Sequence, residues 1–206
     1  MLVDGRWLMR DRRLLTIDEQ DVLGRAQTIA ERIGDLLAQA DIAITKASVR
    51  TQYDTYFTWD DASKGRIRLR EDHRIDPGAR LEPKYAITLT APAERTEYPS
   101  AVRLGRARYT ALADRTLRFY REYFQPDHVV EIEKKRLRWR IIYKGEDFAV
   151  NVDTLAGHHQ PGPYLEIKSR TWSSKDADAK AALIDELMAL FGVDERALVK
   201  QEYVEL

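Results

Sequence analysis

Apolar residues recur at helical spacing in a few stretches of the chain and alternate with polar ones through most of the rest. Val22, Ala26, Ile29, Ile33 and Leu36 or Leu37 fall on one face of a 3.6-residue helix, and Thr16 followed by Glu19 has capping-box spacing; together they predict a helix over 17–40. After Asp41 the period shortens to two. Ile42 and Ile44 open an alternating run that closes on TQYDTYFTW, the pattern of a half-buried strand. Asp60 to Gly65 is turn chemistry, Arg66 to Arg70 reads as a second strand, 72–83 as a loop, and Lys84 to Thr90 as a third strand with Tyr85, Ile87 and Leu89 on its apolar face.

Beyond the punctuation of APAERTEYPS, the spacing of Leu104, Tyr109, Leu112, Leu117 and Tyr120 predicts a helix over 101–122. Three further strands are expected at 128–143, 147–153 and 164–171, the first two joined by a hairpin turn at Lys144-Gly145-Glu146 and the last two by the loop GHHQPGP. Ser173 or Ser174 caps a final helix in which Ala179, Leu183, Leu187, Leu190 and Phe191 face inward and Gly192 stops the turn. The tail LVKQEYVEL reads as a short edge strand. Strands thus lie close together in sequence, with helices between groups of them, which predicts an α+β chain with an antiparallel sheet rather than a doubly wound parallel one. The 206 residues fit a single domain, 1–41 as an N-terminal strand and helix and 42–206 as the core.

Composition narrows the chemistry. The chain has no cysteine, which removes disulfides, thiolate metal sites and thiol nucleophiles and predicts a reducing, cytoplasmic setting. It has no apolar run of membrane-spanning length and no signal-peptide pattern, so no membrane association is expected. Thirty-four basic residues balance 34 acidic ones, so net charge says nothing about partners; local placement does. Arginine crowds into GRIRLRE, RLGRARY and KKRLRWR. Several strands therefore carry one apolar face and one charged face.

In VEIEKKRLRW the two phases compete: Glu131, Glu133 and Lys135 share one face, Lys134, Arg136 and Arg138 the other. If the sheet curls around the second phase, Arg66, Arg68, Arg70, Lys134, Arg136 and Arg138 line a cavity, and like charges there require counter-charge from a polyanion. Phosphate chains suit guanidinium groups, which grip them with paired hydrogen bonds. Asp153 and Glu166 lie at matching phase as candidate ligands for Mg2+ or Mn2+. His158-His159 reads as loop, since adjacent residues on extended chain point apart, and Tyr53, Asp54 and Tyr56 as strand residues at the mouth of such a cavity.

The order of these segments, QYDTYF, GRIRLRE, a strand closing on TAPAERTE, IEKKR, NVDTLAG, a proline-glycine loop, LEIK, a long helix and a terminal EYVEL, resembles the CYTH family of triphosphate tunnel metalloenzymes, in particular its class IV adenylate cyclase and thiamine triphosphatase branches. The resemblance implies an eight-stranded antiparallel β-barrel with outer helices, a tunnel in which Arg68, Arg70, Lys134, Arg136 and Arg138 hold phosphates, and Asp153 and Glu166 as metal ligands. The chain departs from the family at its defining first-strand acidic motif, where GRWLMRDRRL stands, and at Thr90 and Lys168. Three functions follow: a metal-dependent phosphohydrolase or cyclase-like enzyme acting on a nucleotide or organic triphosphate, its catalytic residues unassigned; a non-catalytic binder of nucleotide or inorganic polyphosphate; and an RNA-binding module using an arginine-rich helix at 103–121, which an ordinary outer helix outweighs. The long helices and terminal strand also offer surfaces for a homodimer.

Overall fold

Alternation of period two becomes a long-stranded sheet because each strand can bury one face and turn the other away. The computed structural model describes residues 2–3, 6–7, 9–10, 13–14, 19–39, 42–75, 81–156 and 162–206. In chain order the elements are β1 (Leu2–Val3), β2 (Arg6–Trp7), β3 (Met9–Arg10), β4 (Arg13–Leu14), α1 (Glu19–Gln39), β5 (Ala43–Thr58), β6 (Arg66–Ile75), β7 (Lys84–Thr90), β8 (Glu94–Glu97), β9 (Val102–Gly105), β10 (Arg108–Leu112), α2 (Leu117–Phe124), β11 (His128–Tyr143), β12 (Glu146–Ala156), β13 (Tyr164–Lys168) and α3 (Ser174–Leu190). Seven strands form one antiparallel sheet in the order β10-β7-β6-β5-β11-β12-β13. β1–β2, β3–β4 and β8–β9 pair as separate two-stranded ladders. The expected antiparallel α+β class is therefore present, with seven strands hydrogen-bonded in the main sheet where eight in a closed barrel were expected.

One face of this sheet is apolar and carries the helices. Ala26, Ala30, Ile33 and Leu37 of α1 and Leu187 of α3, with Phe191 beyond it, pack against Ile141, Phe148, Val150 and Val152. At the other end Tyr120 of α2 covers Phe57, Ile67, Leu69 and Ile87. The opposite face is polar and yet buried: Gln52, Asp54, Thr88, Asn151 and Asp153 each keep 1% or less of their surface exposed. No helix covers that face among the described residues, and the C-terminal segment lies against part of it, Tyr203 reaching Asp153 and Lys134.

The turns follow local chemistry. Lys144 and Gly145 both adopt positive φ, 49° and 83°, which makes the β11–β12 connection a tight two-residue hairpin. Ser173 caps α3 by accepting from the Asp176 amide. The helix expected over 101–122 is instead β9, β10 and the short α2. Thr116 caps α2, and Arg108 to Leu112 are needed upstream as a partner for β7. Arg103, Arg106 and Arg108 consequently leave the helix on which the RNA-binding alternative relied. β6 runs on to Ile75, into the expected loop, and the tail forms a turn rather than an edge strand. Thr16 and His158-His159 lie outside the described residues.

Candidate functional site

Register places the site. Asp54 of β5 stands opposite Arg70 of β6 and Ile132 of β11, Arg136 of β11 opposite Asp153 of β12, and Asn151 of β12 opposite Glu166 of β13. Because side chains of one parity share a face, Arg66, Arg68, Arg70, Lys134, Arg136 and Arg138 all point to the buried polar side. Glu131, Glu133 and Lys135 lie on the outer face, in phase with Leu137, Trp139 and Ile141, which resolves the ambiguity of VEIEKKRLRW in favour of its cationic phase.

Most of these cations are already matched. Asp54, 1% exposed, accepts from Arg70 Nε at 2.5 Å and Nη2 at 2.6 Å, and from Lys134 Nζ at 3.0 Å. Burial pushes its carboxyl pKa up, but Arg70 and Lys134 outweigh burial and hold it far below the carboxylate range. Lys134 responds in the opposite sense: burial, then the neighbouring Arg70, bring its pKa down to about 8, with Asp54 opposing them. Arg136 clamps Asp153 with two nitrogens and donates to Glu166 at 2.8 Å. Glu166 also accepts from Asn151 at 3.1 Å and pairs with Lys168 at 2.6 Å. Burial raises its pKa, Lys168 and Arg136 lower it by more, and it settles at about 2.

Three arginines on this face stand differently. Arg68 Nε and Arg138 Nε are buried without an acceptor, and the Arg68 guanidinium reaches only neutral hydroxyls, Thr88 at 3.4 Å and Tyr56. Arg108, in register with Thr90 and thereby alongside Arg66, is the third. None of the three has an ion-pair partner among the described residues. Burial, followed by the like charge of Arg70 for Arg68, Arg136 for Arg138 and Arg106 for Arg108, lowers the pKa of each. A guanidinium does not deprotonate under such pressure, so Arg68 and Arg138, which are partly buried, stay charged without a carboxylate beside them, while Arg108 is open to solvent.

The candidate metal ligands come together with Arg136 between them. Asp153 takes Arg136 on both oxygens and the Tyr203 hydroxyl on one, at 2.9 Å, while Glu166 is held by Arg136, Asn151 and Lys168. A small divalent cation needs several free, hard oxygens, and the two carboxylates as placed do not offer them. Among the described residues no cluster of three or more His, Asp or Glu side chains is arranged to hold a metal. Asp153 and Glu166 fit the role of counter-charge to Arg136 better than that of ligands to Mg2+ or Mn2+.

Sequence reasoning missed Asp54 as the buried counter-ion, although its parity with Gln52 and Tyr56 marks the face. It also missed Arg106, Glu202 and Tyr203, which reach the site from a loop and the tail and carry no periodic signal.

No family model matches the chain, and no curated protein matches it in sequence. Solved structures do. The PH1819 protein of Pyrococcus horikoshii superposes with a TM-score of 0.59 at 14% identity, over 87% of this chain and 91% of that one. The PH1012 protein of the same organism gives 0.55 at 16%, over 86% and 93%. A chain of the Schizosaccharomyces pombe Mediator head module gives 0.50 at 10%, over 81% and 90%. At such identities the likeness establishes the fold and leaves the activity open. No helix among the described residues is long and apolar enough to cross a membrane.

Proposed function

We propose that the protein recognises an oligophosphate, as a nucleotide, an organic triphosphate or inorganic polyphosphate, on the polar face of its sheet, and that it does so without a divalent metal held by Asp153 and Glu166. The observation that carries this reading is the pair Arg68 and Arg138, two guanidinium groups aimed to the polar face, each with a buried Nε that has no acceptor, with the exposed Arg108 beside them. Unpaired buried donors and charges cost stability. A polyanion supplies what they lack.

The matched pairs beside them set the ligand's shape. Asp54 with Arg70 and Lys134, and Asp153 with Arg136, fix the central cations rigidly, so a chain of phosphates meets preorganised donors. Thr88 and Thr110, whose hydroxyls lie 3.2 Å apart, add neutral donors beside Arg68. The motif order that resembles CYTH proteins points to the same ligand class, and an antiparallel sheet with a cationic face is the scaffold that such a tunnel requires. Hydrolysis or cyclisation is not part of this reading, because the carboxylates that would hold metal are engaged by Arg136.

Calorimetric titration with inorganic tripolyphosphate tests it. The unaltered chain binds, while Arg68→Ala and Arg138→Ala each lose about tenfold or more in affinity, the scale of a charge-assisted contact. Equal affinity in all three proteins overturns the reading.

A further inference from the structure

The C-terminal segment enters the polar face and places a carboxylate there. Arg66 Nη2 lies 2.5 Å from Glu202 Oε1, and Arg106 donates to both Glu202 oxygens, at 2.9 and 2.7 Å. The two arginines come from different parts of the sheet, β6 and the link between β9 and β10, and their side chains are 17% and 15% exposed. Next to Glu202, the Tyr203 ring packs against Tyr164 and over Lys134, whose Nζ is 5.4 Å from the ring centroid.

The approach is built, not incidental. The Glu202 amide donates to Glu205 Oε2 at 2.9 Å and the Glu205 amide returns to the Glu202 carbonyl at 2.8 Å, closing a turn that presents the Glu202 side chain. Upstream, Arg95 donates to the Lys200 carbonyl at 2.5 Å and Lys200 pairs with Glu97 at 3.2 Å, tying the tail to β8. The Arg66–Arg106 pair also adjoins the unmatched cations: Arg68 is the next residue of the same face on β6, and Arg108 the next alternate position after Arg106.

We propose that Arg66 and Arg106 form an anion subsite for a terminal phosphoryl group, and that the Glu202 carboxylate is its intramolecular occupant, displaced when an oligophosphate binds. This deepens the oligophosphate reading above and rests on it. Two converging guanidinium groups match the several oxygens and higher charge of a phosphoryl group better than a single carboxylate. A tethered competitor acts at an effective concentration on the order of millimolar, so the tail sets a threshold that weak or singly charged anions do not cross. Arg66 and Arg106 keep a counter-charge in either state, and the exchange leaves neither buried and bare.

The test titrates inorganic tripolyphosphate into the full chain and into Glu202→Gln, and follows amide hydrogen exchange of residues 198–206 in the unaltered chain with and without tripolyphosphate. The expected result is affinity about tenfold higher in Glu202→Gln, where the competitor has lost its charge, and faster exchange of the tail in the unaltered chain once ligand is bound. Binding by both proteins with equal affinity, or tail amides equally protected with ligand bound, overturns the subsite while the oligophosphate reading stands. No binding by either protein removes both. The exchange measurement needs no variant, so it decides the matter even if Glu202→Gln folds poorly.

Discussion

Asp54 balances Arg70 and Lys134 at once from a position almost sealed from solvent, so its charge matters more than its shape. Asp54→Asn keeps the volume and strands two buried cations; unfolding free energy is expected to fall by about 3–5 kcal/mol, read from urea denaturation. A change under about 1 kcal/mol would mean that the lattice is not acting as a charge pair. Arg68→Ala is expected to behave in reverse: it removes a guanidinium whose Nε has no acceptor, so the melting temperature holds or rises while ligand affinity drops. Lys134 adds a pH signature. Its pKa is lowered to about 8, so its positive charge is present below that value and lost above it. Tripolyphosphate affinity should decline as pH rises through about 8, and Lys134→Arg, permanently charged, should flatten the decline. At this scale the sequence was readable wherever parity decided the matter: alternation alone put Arg68, Arg70, Lys134, Arg136 and Arg138 on one face. It could not say that Asp153 and Glu166 would be spent on Arg136, because cross-strand register and not spacing along the chain brings those three together.

Elements with one strong period were legible and those with two competing periods were not. β11 matches the expected 128–143, and α1 and β7 fall within a few residues of expectation. The segment 101–122 was misread because Leu104, Tyr109, Leu112 and Tyr120 also satisfy helical spacing. The open edge of β7 supplies hydrogen bonds that the isolated segment lacks, and tertiary pairing overrides local preference. Gly65 joins the turn after β5 to β6 with φ at +67°, and a Cβ there would stand 2.2 Å from the Thr90 carbonyl oxygen. Gly65→Ala should therefore cost at least about 1–3 kcal/mol in strain and disturb the β6–β7 edge that carries Arg66 and Thr90. Unfolding within about 0.5 kcal/mol of the parent would show that the turn relaxes without consequence.

Across the whole molecule the sheet divides its labour: helices bury the apolar face, and an ionic lattice with the tail fills the other. Stability must then depend on acid. Glu166 and Glu202 have pKa values depressed to about 2 from an ordinary 4.5. Depressed carboxyls contribute stability that is present above 4.5 and lost as pH falls toward 2. Denaturation midpoints should decline over that window, less steeply in Glu166→Gln, and an identical pH profile for the variant would contradict the assignment. That one face of the sheet would carry the cations was foreseeable from the alternation in β6 and β11, whereas the tail's entry was not, since EYVEL has no period and its partners come from distant segments. The measurement that bears most directly on the central claim is titration of the unaltered chain with tripolyphosphate in the presence of a strong chelator, repeated with magnesium at two ionic strengths. The account predicts binding in chelator, weakened by salt and not dependent on magnesium. Binding that appears only with magnesium, or none at all, would contradict it.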